Sequence, residues 1–364
     1  MSTLLMEKRE GKGVGKSRIL RLLRRAVEAV DHQRRVAIGK NRNVVLKQVA
    51  EEQFEETVES LSGALVLFFN EQGRSMESRL KKTSVSAKET AESLAKKIFD
   101  PREWDDELTN VALPPLAVGM AEAAVAHLLT FGIDVRKKKK KATSASAWVE
   151  ENEEDWDSLV EAFAAMDVPL GILAEIPPWM QQSIATRLTE SFQEDYWDAI
   201  NDTTLGNAET VLRRGLAEGQ SINEMATQLR EYFLGDDESG KGFRYARARS
   251  ENIARTESGN ALNAARKDSV AQLQEELGDE VPMKQEWLSV LGNTTRVNHA
   301  NLDGVPENKS GMWILGGIAI PWPSHISLPP ENRCNCQCTL TIAFGMRESE
   351  ALRLIEESEE RLSV

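Results

Sequence analysis

Three cysteines, Cys334, Cys336 and Cys338, occupy alternate positions within five residues. Thiolates at such spacing can ligate a soft metal. If the segment is a strand, all three side chains leave from one face, because strand side chains repeat every two residues. With an imidazole from His299 or His325 they could hold Zn²⁺ tetrahedrally. Two considerations oppose this. Structural zinc sites usually draw on cysteine pairs with wider spacing, and alternate thiols on one strand splay by roughly 6–7 Å. Free cysteine also packs well as a small buried hydrophobe. Both readings stand at this point. A second pairing, His299 with Asp303 four residues on, has the types of a general acid–base pair. A metal-dependent hydrolase or nuclease could be built from His299, Asp303 and the cysteines. The competing reading of Asp303-Gly304 is a turn, in which Asp bonds nearby backbone and Gly supplies a positive φ.

Elsewhere the chemistry is simpler. Gly11-Lys12-Gly13-Val14-Gly15-Lys16-Ser17 looks like a phosphate loop, but the position that needs the first glycine is Glu10. No apolar strand precedes it, so nucleotide binding is rejected. Residues 1–50 hold thirteen Lys or Arg against four Asp or Glu, a net +9, within a chain of net −13. The remainder therefore carries −22. Arg18, Arg21, Arg24, Arg25, Arg34 and Arg35 lie in this arm. Cations without interleaved aromatics suit sequence-independent contact with duplex phosphates, and an acidic protein surface would serve equally.

These groups need elements to hold them. The 364 residues are 41% hydrophobic and 28% charged, which fits a mainly α protein with several core-forming segments. Amphipathic helices are predicted over 17–37 and 44–82, the second broken near Gly63 or Gly73, with the apolar Ala64–Phe69 as a buried turn. Further helices are predicted over 87–98, over 104–129 as a pair divided at Pro114-Pro115, and over 179–200, 207–217, 221–233, 243–276 and 346–362. Gly119 and neighbouring alanines permit close packing. Gly219 ends a helix and Ser221 caps the next. After Pro282 Gly and Pro become frequent and short strands are expected, notably over 313–320 and 336–344. Arg136–Lys141 with the acidic run that follows reads as a solvated linker. No apolar run approaches the ~20 residues that cross a bilayer. Met1–Glu10 carries no apolar leader stretch. Three crowded cysteines exclude a disulfide scaffold and suit a reducing compartment.

The order of rare residues carries more. Ala254-Arg255-Thr256-Glu257, then Trp287, then Arg296-x-x-His299-x-x-Leu302-Asp303-Gly304, then Asn335-Cys336-Gln337-Cys338 resembles the Mu-F-like head morphogenesis family of tailed bacteriophages over about residues 197–340. Asn293 and Gln337 stand where members carry Asp and Arg, and Cys334 is additional.

The resemblance implies a minor head protein in few copies at the portal vertex. It would act in head assembly and in genome packaging or ejection by binding portal and other head proteins, and packaged double-stranded DNA. It would be located in the virion, at the capsid interior or portal vertex, and in the host cytoplasm during assembly, with no membrane partner. It implies no catalytic residues and no cofactor, zinc being the one metal the residues admit. Arg255, Glu257, Trp287, Arg296, His299, Asp303 and Gly304 would be structural, Arg255 and Glu257 facing different sides of their helix. Trp287, Trp313 and Trp322 would pack a small core. The organisation read is a helical region with the basic arm (1–135), a charged linker (136–155), a helical middle region (156–240), a Mu-F-like α+β domain (241–345) and a C-terminal helix (346–364).

Overall fold

The structure is a computed structural model. It describes residues 42–85, 88–131, 180, 183–184, 186–188, 194–234, 241–278, 281–290, 295–346 and 350–355. The basic arm with its six arginines, the charged linker and Asn293 lie outside these residues.

The architecture is mainly α with a small mixed region at the C-terminal end, as the sequence predicts. Helix α1 spans Arg42–Lys82, α2 Ala91–Ile98, α3 Asp105–Thr130, α4 Glu194–Ala217, α5 Ile222–Leu234 and α6 Lys241–Leu277. In α1, Phe54, Val58, Leu61, Leu65, Phe68, Met76 and Leu80 are buried. Their spacing of three and four residues, with buried Gln72 filling the gap between Phe68 and Met76, puts them on one stripe. The helix is continuous through Gly63 and Gly73. Ala64–Phe69 is therefore helical rather than a turn, with Leu65, Phe68 and Phe69 inward and Leu67 72% exposed. α3 is likewise one helix, not two, with Pro114 and Pro115 inside it. The two prolines remove two amide donors from its ladder. Burial of Leu113, Leu116, Ala117 and Met120 on the same turns offsets that loss.

The Glu107–Leu129 stretch of α3 is, by length and composition, apolar enough to cross a membrane, which the sequence reading missed. It is 78% buried within the protein and forms a core helix. α4 also merges two predicted helices, passing through Gly206. Ser221 caps α5 by a reciprocal box: its Oγ accepts from the Glu224 amide at 3.3 Å, and the Glu224 carboxylate accepts from the Ser221 amide at 2.7 Å. Gly219 just before it has φ +67°.

α1, α3 and α6 pack on one another, and one large apolar core gathers residues from α1 through α6. Where α1 and α3 meet, a Cβ on Gly119 would lie 2.5 Å from Thr57 Oγ1, so only glycine allows this approach. Buried amides cross the bundle. Gln72 of α1 donates to Asn201 of α4 at 2.9 Å, and Asn201 donates to Asp105 of α3 at 2.6 Å.

Strand β1 (Met283–Leu288) pairs antiparallel with β4 (Thr339–Phe344), Trp287 opposite Leu340. β2 (Trp313–Leu315) and β3 (Ile318–Ile320) form a hairpin whose turn, Gly316-Gly317, has φ +59° and +84°. Two positive φ values suit a type I′ turn and the twist of the strands it joins. Short helices α7 (Val297–Ala300) and α8 (Pro330–Arg333) lie between. A second apolar core holds Trp287, Trp313, Leu315, Ile320, Trp322, Leu328, Cys336, Cys338 and Leu340. The β1–β4 ribbon serves both cores, giving Leu288 and Ile342 to the larger one. β1 was not predicted. Residues 350–355 are helical.

Candidate functional site

The motif residues converge where α6 meets the loop before β4. Helix α6 supplies a polar face along Asn252, Thr256, Glu257, Asn260 and Asn263. The loop 334–338 lies on that face and is pinned to it at several points. Asn335 adopts φ +55°, the left-handed region that Asn tolerates best after Gly. Its side chain donates to Asn252 Oδ1 at 2.9 Å, and its amide to Thr256 Oγ1 at 3.4 Å. Asn263 Nδ2 donates to the Cys338 carbonyl at 2.9 Å, and Ser324 Oγ to the Cys336 carbonyl at 3.3 Å. Gly259 permits the contact, since a Cβ there would lie 3.0 Å from the Cys336 carbonyl oxygen.

Glu257 is buried, and its carboxylate accepts from Arg333 Nη2 at 2.7 and 3.0 Å. The Tyr196 hydroxyl also donates to it, and Arg333 reaches Tyr196 Oη at 2.6 Å. Burial lifts the Glu257 carboxyl to about 7, against the attraction of Arg333. Arg255, two residues earlier, faces elsewhere and grips Glu55 of α1 with two bonds of 2.9 and 3.0 Å. Its guanidinium is held above its ordinary range by that pairing. The Ala-Arg-Thr-Glu segment thus sends Arg255 to α1 and Thr256 and Glu257 to the loop side.

Asp303 and His299 do not pair. The Asp303 carboxylate accepts from the Ser289 amide at 2.7 Å, closing the β1 end onto the turn rather than bonding its own turn. Gly304 has φ +72° and donates its amide to the Trp287 carbonyl at 2.8 Å. Arg296 Nη2 donates to the Cys334 carbonyl at 2.7 Å.

His299 is 1% exposed. Its Nδ1 faces Cys336 Sγ at 3.4 Å and Cys338 Sγ at 3.6 Å. The three candidate donor atoms all lie within 4.8 Å of one another. Cys334 is not among them. It caps α8 and is exposed. β4 begins only at Thr339, so the cysteines precede the strand. The alternating-strand geometry with three aligned thiols, and the splay it implied, do not occur here. Hydrogen bonding with Cys338 draws the Cys336 thiol well below its ordinary range, with His299 adding to this against the opposing effect of burial. Cys338 is pushed up, first by the same bond and then by burial.

The ring of His299 meets Trp287 edge-on, with centroids 5.7 Å apart. Trp287 Nε1 donates to Ser289 Oγ at 3.1 Å, and Ser289 Oγ donates to the His299 carbonyl at 2.8 Å. Trp313 Nε1 bonds the Val305 carbonyl and Trp322 Nε1 bonds Asn260 Oδ1, both at 2.8 Å. All three indoles are therefore satisfied nearby, as buried tryptophans require. His325, the other imidazole considered, packs on Trp322 with centroids 4.7 Å apart. Burial lowers it to about 4, helped by Arg333 and Arg187.

Sequence reasoning missed Tyr196, Ser289, Asn263 and Arg333. Arg333 is one residue outside the Cys-rich motif, and a buried Glu on α6 was the one signal that a cation had to be found for it. Arg266 was also unforeseen. It is buried, bonds Gln53 at 3.1 Å and Asn263 at 3.4 Å, and is lowered by burial to about 10.

This geometry defines a class: a helix-backed scaffold in which rare residues brace a cysteine loop against a long helix. Residues 207–341 match the model of the family described as phage Mu protein F like protein. Over that segment, which contains the motifs from Ala254 to Cys338, the chain is similar to that family, and the match points to a phage head-related protein. No curated protein and no solved structure matches the chain.

Proposed function

We propose that this chain is a minor head protein bound near the portal vertex, working in head morphogenesis and in genome packaging or ejection through protein and DNA binding. The observation that carries the reading is the Mu-F-like match over residues 207–341, whose motif residues act as joints between α6 and the cysteine loop. A scaffold braced in this way offers a fixed surface for docking. The arm at residues 1–50, with its net +9, supplies sequence-independent attraction to packaged DNA. Portal and other head proteins are the partners, the virion is the destination and the host cytoplasm the place of assembly. No membrane partner is invoked.

Binding rather than hydrolysis is favoured by how the motif side chains are used. His299 is sealed at 1% exposure and Asp303 is bonded to the Ser289 amide, so neither is presented to a substrate as a general acid or base.

The test is deletion of the gene in the phage that carries it, with imaging of the portal vertex. The expected result is loss of density at the vertex and fewer DNA-filled heads, with the other head proteins still present. Absence of the protein from procapsids and virions alike would overturn the reading. Removing residues 1–41 should lower DNA retention while leaving incorporation into heads intact.

A further inference from the structure

We propose that His299, Cys336 and Cys338 form a zinc site that rivets the cysteine loop to α7 and β1. The donor set is sulfur and imidazole nitrogen, which suits Zn²⁺. The geometry suits it as well. A tetrahedral ion with Zn–S near 2.3 Å and Zn–N near 2.0–2.1 Å sets its nitrogen and sulfur donors about 3.6 Å apart. In the structure His299 Nδ1 lies 3.4 Å from Cys336 Sγ and 3.6 Å from Cys338 Sγ. One nitrogen thus lies within about 0.2 Å of the nitrogen–sulfur edge length from each of two thiols, and all three donors lie within 4.8 Å of one another.

Charge balance agrees. Two thiolates and a neutral imidazole around a divalent cation sum to zero, so the site can be buried at 1–5% exposure without an uncompensated charge. The ring is oriented before any ion arrives, by the edge contact with Trp287 and by the Ser289 bond to the His299 carbonyl. The loop is oriented from the other side by Asn263 and Ser324. Among the described residues His299 Nε2 is buried without a hydrogen-bond partner, and the Trp287 contact and the Ser289 bond orient the ring.

Three protein donors leave one coordination position. Cys334 is exposed and stands outside the cluster, and Ser289 Oγ is occupied by Trp287, the His299 carbonyl and, at 3.8 Å, Cys338 Sγ. A cavity of about 40 Å³ borders Cys336 and Cys338. His299 does not line that cavity, and the fourth donor is not assigned.

The experiment uses the full chain, produced with zinc in the medium and purified under reducing conditions without chelator. Elemental analysis should give about one zinc per chain. Cys336→Ser, Cys338→Ser and His299→Gln should each reduce it to below about a tenth, whereas Cys334→Ser should retain it in full. Because the first three variants can fail by misfolding, the unmodified chain is also stripped and titrated with Co²⁺ alone. A thiolate-to-cobalt charge-transfer band in the near ultraviolet, with an intense tetrahedral d–d band saturating near one equivalent, is expected. A folded wild-type chain that takes up neither zinc nor cobalt overturns the proposal. So does loss of metal in Cys334→Ser equal to that in Cys336→Ser. Neither result bears on whether the protein is incorporated into heads.

Discussion

Arg333 bonds Glu257 through a single nitrogen, Nη2, which reaches both carboxylate oxygens across 76 residues of chain. The carboxylate is 7% exposed and the guanidinium 18%. This pair, with Tyr196 against it, ties the mid-point of α6 to the helix that leads into the cysteine loop. Breaking one side of this buried ion pair would leave an uncompensated charge.

The pH response of this joint has a definite sign. Burial lifts the Glu257 carboxyl from 4.5 to about 7, so between these values the folded chain binds more protons than the unfolded one. Stability then falls as pH rises across that window, by up to about 3 kcal/mol for this group. Glu257→Gln should flatten that slope. Urea unfolding of both proteins at pH 5 and pH 8 would check it; an unchanged slope would mean that the carboxyl titrates alike in both states.

His127 acts in the opposite direction. Buried beside Phe131 and under the repulsion of Arg266, it is lowered by burial from 6.5 to about 3 and stays neutral in the fold. The unfolded chain protonates first on acidification, so stability is lost as pH falls from about 6.5 toward 3, by up to about 5 kcal/mol. His127→Phe should move the midpoint of acid unfolding to lower pH than in wild type, followed by circular dichroism through an acid titration.

Two glycine-to-alanine changes should move stability in opposite directions. At Gly259 a Cβ would lie 2.9 Å from Ser324 Oγ and 3.0 Å from the Cys336 carbonyl. The contact cost of about 1–3 kcal/mol outweighs the helix gain. Gly63 is also helical, with nothing within 4 Å of its Cβ position, and there Ala should stabilise by about 0.5–1 kcal/mol. Thermal midpoints of the two variants give the comparison.

Ser289→Ala should cost about 1–3 kcal/mol, since it orphans the Trp287 indole N–H and removes the donor to the His299 carbonyl. A change in the near-ultraviolet dichroism of Trp287, with the helical signal intact, would locate the effect in the smaller core. A variant as stable as wild type would show that the serine bridge contributes nothing net.

The fold was legible where one physical signal dominated. α5 was marked by Gly219 and Ser221, and α6 by a long helical pattern that continues through Gly259. The breaks predicted near Gly63 or Gly73 and at Pro114-Pro115 failed because tertiary burial of their neighbours outweighs local propensity. β1 was invisible because Met-Lys-Gln-Glu hides its inward residue: Gln285 is buried and bonds the Arg266 carbonyl at 3.0 Å. At the site, the residue types were readable but their grouping was not. No spacing rule places His299 beside Cys336 and Cys338 while excluding Cys334, because that follows from α8 ending at Arg333 and the left-handed turn at Asn335.

The β1–β4 ribbon joins Met283 to Phe344 across the whole intervening segment. Closing so long a loop must precede the reward of pairing, which makes this ribbon a slow step, one that waits for β4 to be synthesised. A nascent chain that has emerged only as far as the cysteines holds β1 as a bare edge, open to capture by another polypeptide. Folding therefore has a natural timer: the smaller core cannot close until β4 has left the ribosome.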